Sequence, residues 1–129
     1  MKYLLDTQCW LWMCATPERL SRRVRSLLRS DEHDFYLSVA SAWEIAIKYQ
    51  LGRLSLPAAP REYVPSRIQQ TAVLPLGITL SHVLRVGELP LHHRDPFDRL
   101  LVAQAFEEDM TLVSADRPLS AYNVRLIRA

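Results

Sequence analysis

Short apolar runs alternate along this chain with longer stretches in which apolar positions recur every three or four residues. Lys2–Leu5 (KYLL) predicts a strand ending at Asp6. From Thr16, TPERLSRRVRSLLRS has a threonine cap, a proline in the first turn and Leu20, Val24, Leu27 and Leu28 at helical spacing, which predicts one helix. Phe35–Val39 (FYLSV) predicts a second strand. In the helical stretch SAWEIAIKYQLG after it, Ser41-x-x-Glu44 fits a capping box and Gly52 a stop. Pro57, Pro60 and Pro65 mark a linker leading into a helix that Pro65 starts or bends. Val73–Gly77 (VLPLG) predicts a short strand, and TLSHVLRVGEL a helix capped by Thr79. Phe97–Phe106 is apolar nearly all round, as expected of a helix packed between a sheet and other helices. Thr111–Ser114 (TLVS) and Val124–Ile127 (VRLI) complete the strands. Short strands alternating with helices predict an α/β fold, a central parallel sheet with helices on both faces.

The helix that opens HHRDPFDRLLVAQA carries two aspartates three positions apart. Asp95 stands directly before Pro96 and reads as the N-cap, with proline at the first helical position, where its missing N–H costs nothing. Asp98 shares its side of the helix with Leu101, Val102 and Ala105, so a carboxylate heads an apolar stripe. Complementing the helix dipole would explain it at about 0.3–1 kcal/mol. The other acids decide.

In open α/β sheets, ligands bind beyond the carboxyl ends of the strands where the strand order reverses. Asp6 follows the first strand, Glu44 lies in the first turns after the second, Asp98 opens the helix leading into TLVS, and Asp116 follows TLVS. All four belong at one end of the sheet. Each has an ordinary alternative: Asp6 as a cap, Glu44 closing a box or pairing with Lys48, Asp116 opening a turn before Pro118. Gathered together, uncompensated carboxylates would repel and take up protons, and a cation resolves this. Oxygen ligands without supporting cysteine or histidine spacing point to Mg2+ or Mn2+, whose open positions accept phosphate oxygens. That chemistry hydrolyses phosphodiesters.

At 129 residues, 49% of them hydrophobic, the chain has the size and core of one domain, residues 1–129. MKYLLDTQCWLW is broken by Asp6 and Gln8 and has no small-residue cleavage site, so it predicts neither a signal peptide nor a membrane span, and a cytoplasmic protein. Cys9 and Cys14 match no redox or zinc spacing and read as reduced packing residues. Net charge is only +2, but every basic residue except Lys2 and Lys48 is arginine, and Arg19–Arg29 crowds five into one stretch, either a phosphate-facing patch or a solvated helix face. With Gly52, Gly77 and Gly87 the only glycines, neither a P-loop nor a dinucleotide fingerprint is present. G-x-S-x-G and H-E-x-x-H are absent too. An aspartyl-phosphate mechanism at Asp6 ranks low, because DTQ lacks a second acid two residues on. His92 and His93 adjoin the helix mouth, where they could touch phosphate or serve as cap or surface residues, and Trp10, Trp12 and Trp43 read as core.

LLDT (Leu4–Thr7), SAWEIAIK (Ser41–Lys48), LPLHHRDPFDRLLVAQA (Leu89–Ala105) and LVSAD (Leu112–Asp116) resemble, in order and over nearly the whole chain, PIN-domain proteins of the VapC toxin type. The resemblance implies that Asp6, Glu44, Asp98 and Asp116 form an acidic metal site with Asp95 outside it. It further implies Mg2+- or Mn2+-dependent endoribonuclease activity, inhibition by a cognate antitoxin, and a homodimer. Thr7 and Ser114 stand where the family has hydroxyls that orient the carboxylates. Gln8 replaces the histidine of many relatives, and Ser114 a common threonine. Arg99 and Arg117, each beside a site acid, are candidates for steering substrate phosphate or for structural ion pairs. Two other readings remain: a PIN-like module that binds RNA or protein without cutting it, and a structure-specific DNA nuclease, for whose duplex-gripping elements 129 residues leave little room.

Overall fold

A computed structural model describes residues 1–129 as a five-stranded, fully parallel sheet with helices on both faces. The strands are β1 (Lys2–Leu5), β2 (Asp34–Ser38), β3 (Leu74–Leu76), β4 (Thr111–Ser114) and β5 (Leu126–Arg128). The helices are α1 (Thr7–Ala15), α2 (Arg22–Leu28), α3 (Val39–Gln50), α4 (Pro60–Thr71), α5 (Leu80–Val86) and α6 (Pro96–Glu107). Spatial order is β3-β2-β1-β4-β5, so the chain winds outward first to one side of β1 and then to the other. The switch point lies between β1 and β4, where Leu5 pairs with Val113 and the Asp6 amide donates to the Val113 carbonyl at 3.0 Å.

Alternation along the strands sends side chains to two cores. Tyr3, Leu5, Phe35, Leu37 and Val113 pack with Cys9 and Trp10 of α1, Val24 of α2, Ile45 of α3 and Val64 of α4. Leu4 and Leu112 face the other way, against Leu101, Val102 and Ala105 of α6. The three α6 residues are the stripe that Asp98 heads. Fully burying Leu101 and Val102 contributes about 1.5–3 kcal/mol each, so this stripe fixes the rotation of α6 and with it the direction of Asp98.

Several local expectations need correction. TQCWLWMCA forms α1, which the sequence reading missed because a segment apolar all round shows no helical period. The single helix expected from Thr16 is a 3-10 turn at Pro17–Arg19 followed by a separate α2. Leu20 is extended between them, and Ser21, not Thr16, caps by accepting from the Val24 amide at 3.2 Å. The Ser41–Glu44 capping box does not form: α3 starts at Val39, Ser38 caps it by accepting from the Ala40 amide at 3.0 Å, and Ser41 and Glu44 turn inward. Pro60 opens α4 and Pro65 lies inside it. Gly52, at φ +72°, stops α3 as expected, in a conformation that suits glycine. Asp116 does open a turn before Pro118, a 3-10 turn over Arg117–Ala121, and β5 begins two residues later than the predicted VRLI strand.

Candidate active site

Asp6, Thr7, Glu44, Asp98 and Asp116 line one cleft of about 470 Å3 at the carboxyl ends of β1 and β4. Local chain geometry places each of them. Asp6 leaves β1 in extended conformation and caps α1, its Oδ1 accepting from the Cys9 amide at 2.7 Å, so the cap role and the cleft position are held by one side chain. Its Oδ2 accepts from the Ser114 hydroxyl. That same serine oxygen accepts from the Asp116 amide at 3.0 Å, which ties the two aspartates together across the switch point. Burial holds the Asp6 carboxyl above the usual carboxylate range.

Glu44 is 4% exposed, and both its oxygens are occupied. Thr7 Oγ1 donates to Oε1 at 2.6 Å, with Ser41 Oγ 2.9 Å from that hydroxyl, while Lys48 Nζ lies 2.8 Å from Oε2. Lys48, one turn further along α3, places the ammonium on the cleft rim beside Arg53. The contact with Glu44 raises the Lys48 pKa above its ordinary value.

Asp95 caps α6 as read from the sequence, accepting from the Phe97 amide at 2.9 Å. Asp98 lies in the first turn of α6, and burial, reinforced by repulsion from Asp95 and Asp116, pushes its carboxyl up to about 8. A carboxyl that retains its proton near neutrality among other acids marks a site short of positive charge. The donor set, carboxylate oxygens converging on an open cleft, fits a hard divalent cation. One ligand atom each of His93, Asp98 and Asp116 lie within 4.8 Å of one another. Asp6 and Glu44 face the same cleft without joining that tight cluster.

Of the two roles the sequence leaves open for His93, a surface or cap residue and a residue at the site, the structure shows the second. Its Nε2 is 2.8 Å from Asp116 Oδ2 and 3.2 Å from Asp98 Oδ2. His92 is exposed and packs edge-on against Tyr122. Trp43 departs from its expected core position: it is 59% exposed, with its ring edge-to-face on Phe97 at 5.2 Å, beside an apolar cavity lined also by Val83, Val86 and Leu100.

The two arginines separate. Arg99 Nη2 donates to the carbonyls of Val86 and Leu89 at 3.1 and 3.2 Å, closing the end of α5, and Arg99 does not line the cleft. Arg117 is exposed and lines an adjoining cavity of about 400 Å3 with Arg128 and Ser120, which meets the cleft at Ala115 and Asp116. None of the five arginines in Arg19–Arg29 reaches the cleft; Arg19 lies over the Trp12 ring at 5.5 Å. Cys9 and Cys14 are free thiols. No helix is long and apolar enough to cross a membrane.

Comparison with known proteins places this geometry. The PIN domain family model matches residues 3–124. Ribonuclease VapC22 of Mycobacterium tuberculosis (strain ATCC 25618 / H37Rv) is 37% identical over 124 residues, covering 92% of this chain and 90% of that protein. Ribonuclease VapC16 of the same organism is 40% identical over 58 residues, covering 45% of this chain and 41% of that protein, so this match spans less than half of the relative. Among solved structures, VapBC2 from Rickettsia felis bound to a promoter DNA fragment superposes with a TM-score of 0.73 at 17% identity, covering 99% of this chain and 98% of that one. DNA-bound VapBC from Salmonella typhimurium has the same TM-score and coverage at 14% identity. These two show a shared fold.

Proposed function

The chain belongs to the PIN-domain family, and from that premise we propose that it is a metal-dependent endoribonuclease, the toxin of a type II toxin-antitoxin pair. The observation that carries this reading is the convergence of Asp6, Glu44, Asp98 and Asp116 on one cleft, in a chain 37% identical to a VapC ribonuclease over nearly its full length.

Asp6, Asp98 and Asp116 would hold Mg2+ or Mn2+, with Glu44 contributing directly or through water. When bound, the ion supplies Lewis acidity, making a water nucleophilic near neutral pH and offsetting charge at the scissile phosphate. The chain's own groups set the geometry. Cys9 and Ser114 fix the two oxygens of Asp6, and Thr7 and Lys48 fix those of Glu44. Asp116 is the more open of the two His93-linked acids, at 34% side-chain exposure against 17% for Asp98, which supports a role for it as the acceptor of a proton from an attacking water. Lys48 and Arg53 on one rim, and Arg117 beside the other, provide positive charge to draw an RNA backbone over an acidic floor.

The partners in this proposal are an RNA substrate, a cognate antitoxin and a second copy of the chain. Neighbours of the same fold are VapBC complexes, which supports the antitoxin. The exposed apolar face of Trp43 and Val83 over Phe97 supports the homodimer, and Trp43→Glu should yield a monomer by light scattering. A cytoplasmic location follows from an RNA target.

The deciding experiment is cleavage of cellular RNA by antitoxin-free protein with Mg2+ or Mn2+ against EDTA, with Asp98→Asn in parallel. Metal-dependent cutting that the folded variant loses supports the nuclease. Folded wild type that binds RNA or a partner and never cuts it would leave the non-catalytic binding module.

A further inference from the structure

We propose that His93 is a positioning residue of the acidic centre: its Nε2–H donates to Asp116 and lies against Asp98, which orients the Asp116 carboxylate beside Asp98 without His93 itself being a ligand. The inference rests on the metal-dependent reading above and adds a residue to it.

Both nitrogens of the His93 ring are accounted for. Nδ1 accepts from the backbone amide of Asp95 at 3.0 Å. An amide N–H only donates, so Nδ1 presents its lone pair and the neutral ring carries its proton on Nε2. That proton is donated to Asp116 Oδ2 at 2.8 Å, and Asp98 Oδ2 lies 3.2 Å from the same nitrogen, so one ring nitrogen hydrogen-bonds one acid and stands at ion-pair distance from a second on a different element. A metal-ligating histidine is wired the other way: its lone pair faces the ion, and its second nitrogen donates to a carbonyl or carboxylate. Ligation through Nε2 would place a proton on Nδ1 against the Asp95 N–H, which loses one hydrogen bond and sets two donors face to face.

The backbone that carries the ring is held as well. The His93 amide donates to the Tyr122 hydroxyl at 3.2 Å, and the side chain is only 16% exposed. Asp95, outside the acidic four, therefore acts twice: its side chain caps α6 and its amide sets the His93 tautomer. Asp98 on α6 and Asp116 after β4 also meet directly through a side-chain hydrogen bond, and His93 is the group that faces the Oδ2 oxygens of both.

The test uses full-length wild type, His93→Ala, His93→Gln and Asp98→Asn, each shown to be folded by circular dichroism. Mn2+ binding is measured by calorimetry, bound Mn2+ is examined for 14N echo modulation, and the ring tautomer is read from long-range 1H–15N correlations of the metal-free wild type. Expected are an Nε2–H tautomer, no directly bonded 14N, an affinity lowered about 10–100-fold in His93→Ala, and partial recovery in His93→Gln, whose amide can still donate. An Nδ1–H tautomer, bonded 14N in the wild type, or unchanged affinity in His93→Ala alongside loss in Asp98→Asn overturns the positioning role and leaves the nuclease reading standing. Wild type that binds no Mn2+ overturns both. Should His93→Ala not fold, His93→Gln and the two wild-type spectra decide.

Discussion

Thr7 Oγ1 donates to Glu44 Oε1 across 2.6 Å, joining the first turn of α1 to the buried face of α3. A buried carboxylate needs its lone pairs met, and here one oxygen takes the hydroxyl and the other the Lys48 ammonium. Thr7→Val keeps the shape and deletes the donor. We expect a stability loss of about 1–3 kcal/mol, because the Glu44 oxygen remains buried and under-satisfied. RNA cleavage should fall by roughly 10–100-fold as Glu44 loses its orientation. Urea unfolding and initial cleavage rates measure the two effects; unchanged rates would remove Thr7 from the site.

Ser114 links Asp6 to Asp116 through one oxygen, and the link separates size from chemistry. Ser114→Ala strips a buried hydroxyl from between a carboxylate and an amide and should destabilise by about 1–3 kcal/mol while reducing Mn2+ affinity. Ser114→Thr keeps the hydroxyl and should retain most of the affinity, with only the added methyl to accommodate. Calorimetry on the pair checks this. Equal affinity in both variants would mean the hydroxyl does not orient the acids.

Burial and neighbouring acids push the Asp98 carboxyl up from an ordinary 3.8 to about 8, and the sign of the consequence is fixed by linkage. Between those two values the folded, metal-free protein binds more protons than the unfolded chain, so its stability falls as pH rises from about 4 to about 8. Asp98→Asn removes the titration. The variant should be more stable than metal-free wild type at pH 8, by roughly 1–3 kcal/mol, and should show a flatter stability profile. In wild type a cation must displace the proton, so Mg2+ affinity should rise with pH toward about 8 and binding at pH 7 should release protons. Calorimetry in buffers of different ionisation enthalpy counts them.

What the sequence made legible follows from how local each interaction is. DPFD carries its own explanation: the proline identifies the Asp95 cap, and the Leu101, Val102 and Ala105 stripe orients Asp98. The strand ends place Asp6 and Asp116 at one edge once a parallel sheet is inferred. The sequence offers Asp6 as a cap or as a cleft residue, and the fold lets one carboxylate be both. Long-range partners were invisible. His93 is placed by Asp116 and Tyr122, 23 and 29 residues further along, and no short-range pattern predicts that meeting. Trp43 read as core because aromatic character signals burial on average, yet it lies on the outer face of α3. Ser41-x-x-Glu44 has capping-box spacing, but Ser38 begins the helix one turn earlier and turns both residues into the site.

Arg99 and Arg117 stand in equivalent relation to their neighbouring acids in sequence and in different relation in space, and paired substitutions separate them. Arg99 Nη2 holds the carbonyls of Val86 and Leu89, the chain that leaves α5. Arg99→Ala should lower stability by about 1–3 kcal/mol by removing the donor to both carbonyls, of which Val86 keeps its bond from the Leu89 amide, and by losing a partly buried stem, with RNA affinity of the folded protein unchanged. Arg117 is exposed beside the cleft. Arg117→Ala should leave the melting temperature within about 2 °C, since surface substitutions usually stay within about 0.5 kcal/mol. It should weaken RNA binding and reduce the slope of log affinity against log salt by roughly one phosphate contact. Anisotropy titrations of a labelled, uncut RNA with the Asp98→Asn background, across a salt series, measure both. A salt slope altered by Arg99→Ala and not by Arg117→Ala would reverse the two assignments and move the RNA track to the α5 side of the cleft.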